Sequence, residues 1–286
     1  MIAAPVIARH VLQESVRRRV FSIVVILSLL FVALFAFAAV EVFSALGSFS
    51  RTGGTGTLDT RGLATITLVG LGMFATMFLG TVLAVFLTLG AVRGDAERGL
   101  LQPLVVRPLG RSQLLLGRFV GAAGVCGVYV ATLYVVVIVV VHATGHRWPD
   151  RLVGPGLALV GAVTILVGLS LLGSVFLSAT ANGIAVFMVF GAGLVAGLLA
   201  TIGSALGSQP VQTIAHDMAL ALPFEALYQA GLHALGANQS GFTGVLINLG
   251  PFGSSHAGSP LLDVWAVVYL CLVASAAMFG FARRDL

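Results

Sequence analysis

Six long apolar runs constrain this chain more than any motif it carries. They fall at about residues 20–43, 63–92, 112–143, 152–179, 183–206 and 262–282. A bilayer's hydrocarbon core is about 30 Å thick and a helix rises about 1.5 Å per residue, so each run is long enough to cross it. Lipid offers no partner for an open backbone, and a run of this length crosses as a helix. Composition agrees: 58% of residues are hydrophobic and 9% charged, too little polar surface to clothe a soluble globule of 286 residues. The expected architecture is an all-α membrane protein, a single domain over residues 1–286 with six transmembrane helices. The second and third runs exceed one bilayer thickness, which implies tilt or projecting turns.

Charge orients the spans. All fifteen basic residues are Arg. Arg9, Arg17, Arg18 and Arg19 precede the first run, Arg93, Arg98, Arg107, Arg111 and Arg118 lie between the second and third, and Arg283 and Arg284 follow the sixth. Cytoplasmic termini put eleven Arg inside and leave four (Arg51, Arg61, Arg147, Arg151) outside, as the positive-inside rule requires. The pI near 10.0 therefore points to topology and anionic lipid, with no nucleic acid among the partners. The first run follows three Arg as a secretory signal would, but it outlasts the 7–15 residues of a signal core and reads as an uncleaved span.

Between the runs, residues 1–19 suit an interfacial amphipathic helix, with Ile2, Val6, Ile7, Val11 and Leu12 apolar. The Gly/Ser/Thr-rich stretch 44–62 reads as an outer loop. Trp148 in the next outer turn suits an interfacial anchor. Only "SATANG" joins the fourth and fifth spans, giving a tight cytoplasmic hairpin. Gly193 with Gly197, Gly203 with Gly207, and Gly117 with Gly121 have the spacing that lets helices approach closely, by default within one subunit. Cys126 and Cys271 read as small core residues, since they offer neither a disulfide framework nor a metal spacing.

Residues 207–261 are too long for a simple outer turn, yet no piece of them reaches span length. In "LPFEALYQAGLHAL", Pro223 suits a first helical position and Glu225 a first turn. Phe224, Leu227, Tyr228, Gly231, Leu232 and Leu235 share one helical face. The flanking pieces "VQTIAHDMALA" and "FTGVLINLGPFG" are mostly apolar. The segment is expected to lie on, or dip into, the outer leaflet.

Chemical motifs are sparse. A P-loop needs a Lys, and the chain has none, so it is not expected to hydrolyse ATP itself. No H-E-x-x-H occurs, and the six His are scattered; His216 and His233 suit interfacial positions. Ser170 and Ser240 lack the G-x-S-x-G frame of a hydrolase. No catalytic, cofactor-binding or metal-ligating residue is predicted. Carboxylates inside the runs are confined to Glu41 and Asp263, both near outer ends, which disfavours ion-driven carriage.

The segment 93–118 holds seven of the twenty-five charged side chains, together with Gly99, Pro103, Pro108 and Gly110. Leu100, Leu101, Leu104 and Val105 can share a face of a short interfacial helix, perturbed at Pro103 and stopped near Pro108. The same charges could also serve topology alone. "AERGLLQPLVVRPLGRSQLLLGRFVG" resembles the cytoplasmic loop between the second and third spans of permeases of the type-2 ABC exporter class. The shared pattern falls on Glu97, Arg98 and Gly99, on Arg107 and Pro108, on Arg111, and on Gly117 with Arg118. Arg118 stands where that family often has Lys, and Leu100 where Thr often follows the Gly. An Arg-rich N-terminus, six spans and a terminal "ARRDL" extend the likeness loosely over the whole chain.

The resemblance implies that residues 93–111 form a coupling helix that docks on a separate ATP-binding cassette ATPase subunit. It implies that the short helices before the last span form an outer re-entrant gate, on which Pro223, Phe224, Glu225 and Tyr228 fall. ATP and Mg would then belong to the partner, none to this chain, and two permease copies, or a copy and a paralogue, would share the path in the cell membrane. The alternative is a multi-pass protein outside the ABC class, a secondary carrier or assembly factor, in which the basic loop only orients the spans.

Overall fold

The computed structural model describes residues 19–51, 60–88, 111–146, 148–149, 151–236 and 258–282, and among these every element is a helix. They are α1 (Arg19–Arg51), α2 (Thr60–Thr88), α3 (Arg111–Gly145), α4 (Val153–Phe176), α5 (Ala179–Leu206), α6 (Gln209–Ala221), α7 (Pro223–Gly236) and α8 (Pro260–Ala282). Six of them, α1 to α5 and α8, are long and apolar enough to cross a membrane. Each coincides with one of the six apolar runs. The predicted N-terminal interfacial helix, the segment 93–110 and the piece 242–253 lie outside the described residues.

The sequence explains where the chain turns. Leu177 and Ser178 are both extended (ψ 157° and 160°), and these two residues alone reverse the chain between α4 and α5. The turn is tighter than "SATANG" suggested, because Ala179 and Thr180 already belong to α5. At the far end of α5, Gly207 adopts φ 63°, and the Ser208 N–H returns to the Gly203 carbonyl. That is the left-handed helix stop that glycine makes without strain. Between α6 and α7 the joint is a single residue: Pro223 disfavours helical backbone before it, and Leu222 sits at φ −126°, ψ 67°. The outer loop read over 44–62 is shorter than expected. Helix α1 runs on through Arg51, helped by the Ser44 hydroxyl donating to the Glu41 carbonyl, and α2 starts at Thr60.

α2 and α4 form the centre of the bundle and α1 and α8 its rim. Val69, Met73, Met77, Val130, Leu159 and Val163 are fully enclosed between α2, α3 and α4. Close approach there depends on small residues: a Cβ at Gly72 would strike Val137, and one at Gly80 would strike Val130 and Val163. The buried hydroxyls of Thr76, Thr81 and Thr88 donate to carbonyls one turn back, so polar groups enter the core already satisfied. On the rim, Ile23, Ile26, Leu29 and Phe37 of α1 and Leu261, Val264, Val267 and Phe279 of α8 point outward. No other helix of the chain among the described residues covers these side chains. Cys126 is buried as expected, but Cys271 is exposed, because it lies on the outward face of α8.

Antiparallel packing gives the bundle two distinct ends. Arg51, Thr60, Gly145, Val153, Leu206 and Pro260 gather at one; Arg19, Thr88, Arg111, Phe176, Ala179 and Ala282 mark the other. At the Thr88 end, the hydroxyls of Thr88 and Ser170 are hydrogen-bonded, and Asn182 Nδ2 donates to the Ser170 carbonyl at 2.9 Å. Gly173 leaves the space for the Asn182 side chain. This polar knot ties α2, α4 and α5 together at the last residue of α2. At the Arg51 end, Trp148 is exposed and stacks on His142 with ring centroids 4.0 Å apart. Its exposure suits the anchoring role expected of it.

Candidate functional site

The helices α6 and α7 do not lie flat on the bundle. They form a hairpin let into its Arg51 end, between α4, α5 and α8. On α7, Gly231 rests against Pro155 and Ala158 near the start of α4, and Leu227 reaches Gly161. Gly161 stands eight residues past Val153, about 12 Å along α4. Phe224 lies almost one turn beyond Leu227 and stacks on Phe190 of α5, with centroids 6.5 Å apart and an interplanar angle of 13°. The tip of the hairpin is therefore close to half-way down the bundle.

The expected apolar face of α7 is realised: Phe224, Leu227, Tyr228, Leu232 and Leu235 are all buried. The opposite side of its first two turns is buried as well. Glu225 is 2% exposed and Gln229 8%. Both pack on the glycines of α5: a Cβ at Gly193 would strike the Phe224 ring, and one at Gly197 would strike Glu225 Oε1 and Gln229 Nε2. The Gly193/Gly197 pair thus serves packing inside the subunit. Gly203 does the same for Val211 and Gln212 of α6.

Gln229 Nε2 donates to Glu225 Oε1 at 2.9 Å. Glu225 Oε2 and Gln229 Oε1 are buried without a hydrogen-bond partner. Burial pushes the Glu225 carboxyl up to about 7, partly offset by the Gln229 amide. The Tyr228 phenol is raised too, first by burial and then by the neighbouring Glu225. Trp265 of α8 supports the hairpin at its joint, its indole N–H donating to the Leu220 carbonyl at 2.9 Å. That carbonyl is one of the orphan acceptors at the end of α6. Beside the hairpin, between α5 and α6, lies a groove of about 420 Å³ lined by Ser204, Gln209, Gln212, Thr213 and His216.

Of the residues singled out from the sequence, Pro223, Phe224, Glu225 and Tyr228 come together in the first two turns of α7. Glu97, Arg98, Gly99, Arg107 and Pro108 lie outside the described residues. Arg111 opens α3, Gly117 is buried on it, and Arg118 is half-buried. Gln229 and the glycines that seat it were not among the expected site residues. The signal was present, as a Glu and a Gln four apart on a Pro-led helix beside a Gly-x-x-x-Gly span.

A bundle of six candidate spans with a helical hairpin let into one end defines a multi-pass membrane protein. The family model described as ABC-2 family transporter protein matches residues 6–286. The chain belongs to that family and is a membrane permease of an ABC transporter, the membrane component and not itself a nucleotide-binding enzyme. Membership decides against the alternative of a carrier or assembly factor outside the ABC class. Comparison with curated proteins gives no match.

Proposed function

We propose that the chain is the permease subunit of an ATP-driven exporter. Two permease copies, or a copy and a paralogue, enclose the path, and two ATP-binding cassette subunits supply the energy. One observation carries this reading: Thr88 and Arg111, the described residues on either side of the basic stretch, lie at the end of the bundle opposite the buried hairpin. Helix α2 ends at Thr88 and α3 begins at Arg111 at the one end, and α6–α7 enters from the other. Energy enters through the first and the path is closed by the second.

In this reading residues 93–111 dock on the ATPase, with Glu97, Arg98, Gly99, Arg107, Pro108 and Arg111 at the contact and Gly117 and Arg118 carrying the motion into α3. ATP and Mg reside in the partner. Pro223, Phe224, Glu225 and Tyr228 belong to a gate at the outer face of the cell membrane, and both termini are cytoplasmic, consistent with the eleven-to-four division of Arg. The test is co-purification of the chain with its ATPase from the native host, followed by ATP-driven transport in vesicles. Glu97→Ala with Arg111→Ala is expected to release the ATPase or abolish transport while the permease stays folded. Unchanged transport and association in that double variant would overturn the docking assignment.

A further inference from the structure

We propose that Glu225 and Gln229 form a proton-binding site inside the α6–α7 hairpin, and that loss of its proton unseats α7 from the glycine surface of α5. Gln229 Nε2 already donates to Glu225 Oε1. The two remaining oxygens, Glu225 Oε2 and Gln229 Oε1, are buried acceptors with no donor. One proton answers both. On Oε2 it turns the carboxylate into an acid whose O–H can donate to the amide oxygen while the amide N–H donates to the acid carbonyl. A carboxylic acid and a carboxamide are complementary in this two-bond ring, whereas a carboxylate facing an amide oxygen leaves two acceptors opposed.

No cation on the packed elements takes the proton's place. α4 and α5 contain no ionisable side chain, and α2 contains only Arg61, in its first turn. α6 offers His216 and Asp217, both exposed, and α8 offers the exposed Asp263 and Cys271 with Tyr269. On α7 itself are Tyr228, which is buried and neutral, and His233, two turns away. The backbone of α5 at Gly197 lies so close to the pair that a methyl group would overlap both side chains. Among the described residues an ionised carboxylate in this cradle has no counter-ion, and moving α7 outward restores its hydration.

The experiment uses the purified full-length chain in nanodiscs and needs no ATPase or transported substrate. The chain has two Trp, so Trp148→Phe leaves Trp265, bonded to the hairpin joint, as the sole reporter. Its emission is followed from about pH 5 to about pH 9. The expected result is one reversible transition near neutral pH. Glu225→Gln keeps the low-pH emission throughout, and Gly197→Ala keeps the high-pH emission. His216→Asn with His233→Asn retains the transition, which separates it from titration of the imidazoles on α6 and α7 in the same range. Infrared difference spectra of the unsubstituted chain supply a second reading that needs no variant to fold: a carboxylic-acid C=O band disappears across the same interval. A transition that survives Glu225→Gln, one lost with the two His, or the absence of that band would overturn the proposal.

Discussion

At the scale of single residues, Glu225 combines a charge with nearly complete burial. Its carboxyl sits above the ordinary value of 4.5, so the folded chain holds a proton that the unfolded chain has released. The associated stability is complete below the unfolded value and is lost as pH climbs through about 7. Thermal unfolding in detergent should therefore show a melting temperature that falls between about pH 5 and about pH 8, and the fall should flatten in Glu225→Gln. The glycines opposite set a steric limit. Gly193→Leu and Gly197→Leu each push a side chain into space held by Phe224 or by Glu225 and Gln229. Overpacking of that kind costs roughly 1–3 kcal/mol, measurable as a lowered unfolding midpoint. Gly191, whose Cβ would meet nothing within 4 Å, is the control and should tolerate Leu.

At the scale of elements, all six spans were legible because each is a long apolar run, and length alone separates such runs from other segments. Their ends were less legible. Residues 44–51 look like loop by composition, yet they continue α1, since Ala45, Leu46 and Phe49 extend the apolar run and Ser44 bonds back to Glu41. The second helix of the hairpin, α7, was readable from Pro223 and the apolar face that follows. Its burial on both sides was not, because a 14-residue amphipathic pattern does not say whether its polar side meets water or a neighbouring helix. A search for carboxylates confined to the spans passes over Glu225 for the same reason. Trp265→Phe tests how the hairpin is held. Removing the donor to the Leu220 carbonyl is worth about 1 kcal/mol, and amide exchange around Leu222–Leu227 should accelerate roughly fivefold in hydrogen-exchange measurements.

At the scale of the whole molecule, the bundle has an apolar rim, a core whose threonine hydroxyls bond to their own helices, and two dissimilar ends. The division of Arg between those ends predicts orientation directly. In a background lacking Cys126 and Cys271, Arg284→Cys should react with an impermeant maleimide only from the cytoplasmic side of oriented vesicles, and Thr55→Cys only from the opposite side. The reverse labelling pattern would invert the assignment of gate and docking ends together.

The knot of Thr88, Ser170 and Asn182 bears on how motion would cross such a molecule. Thr88 is the last residue of α2, Ser170 lies on α4, and Asn182 lies in the first turn of α5. α4 and α5 are in turn joined by only two residues. A pull applied just beyond Thr88 is thus delivered to three helices at once, as a load on a bracket reaches every beam bolted to it. Two of those beams, α4 and α5, form walls of the slot that holds the hairpin at the opposite end. Asn182→Ala loosens the bolt without touching the beams: fold and assembly should persist while the stroke at the far end shortens.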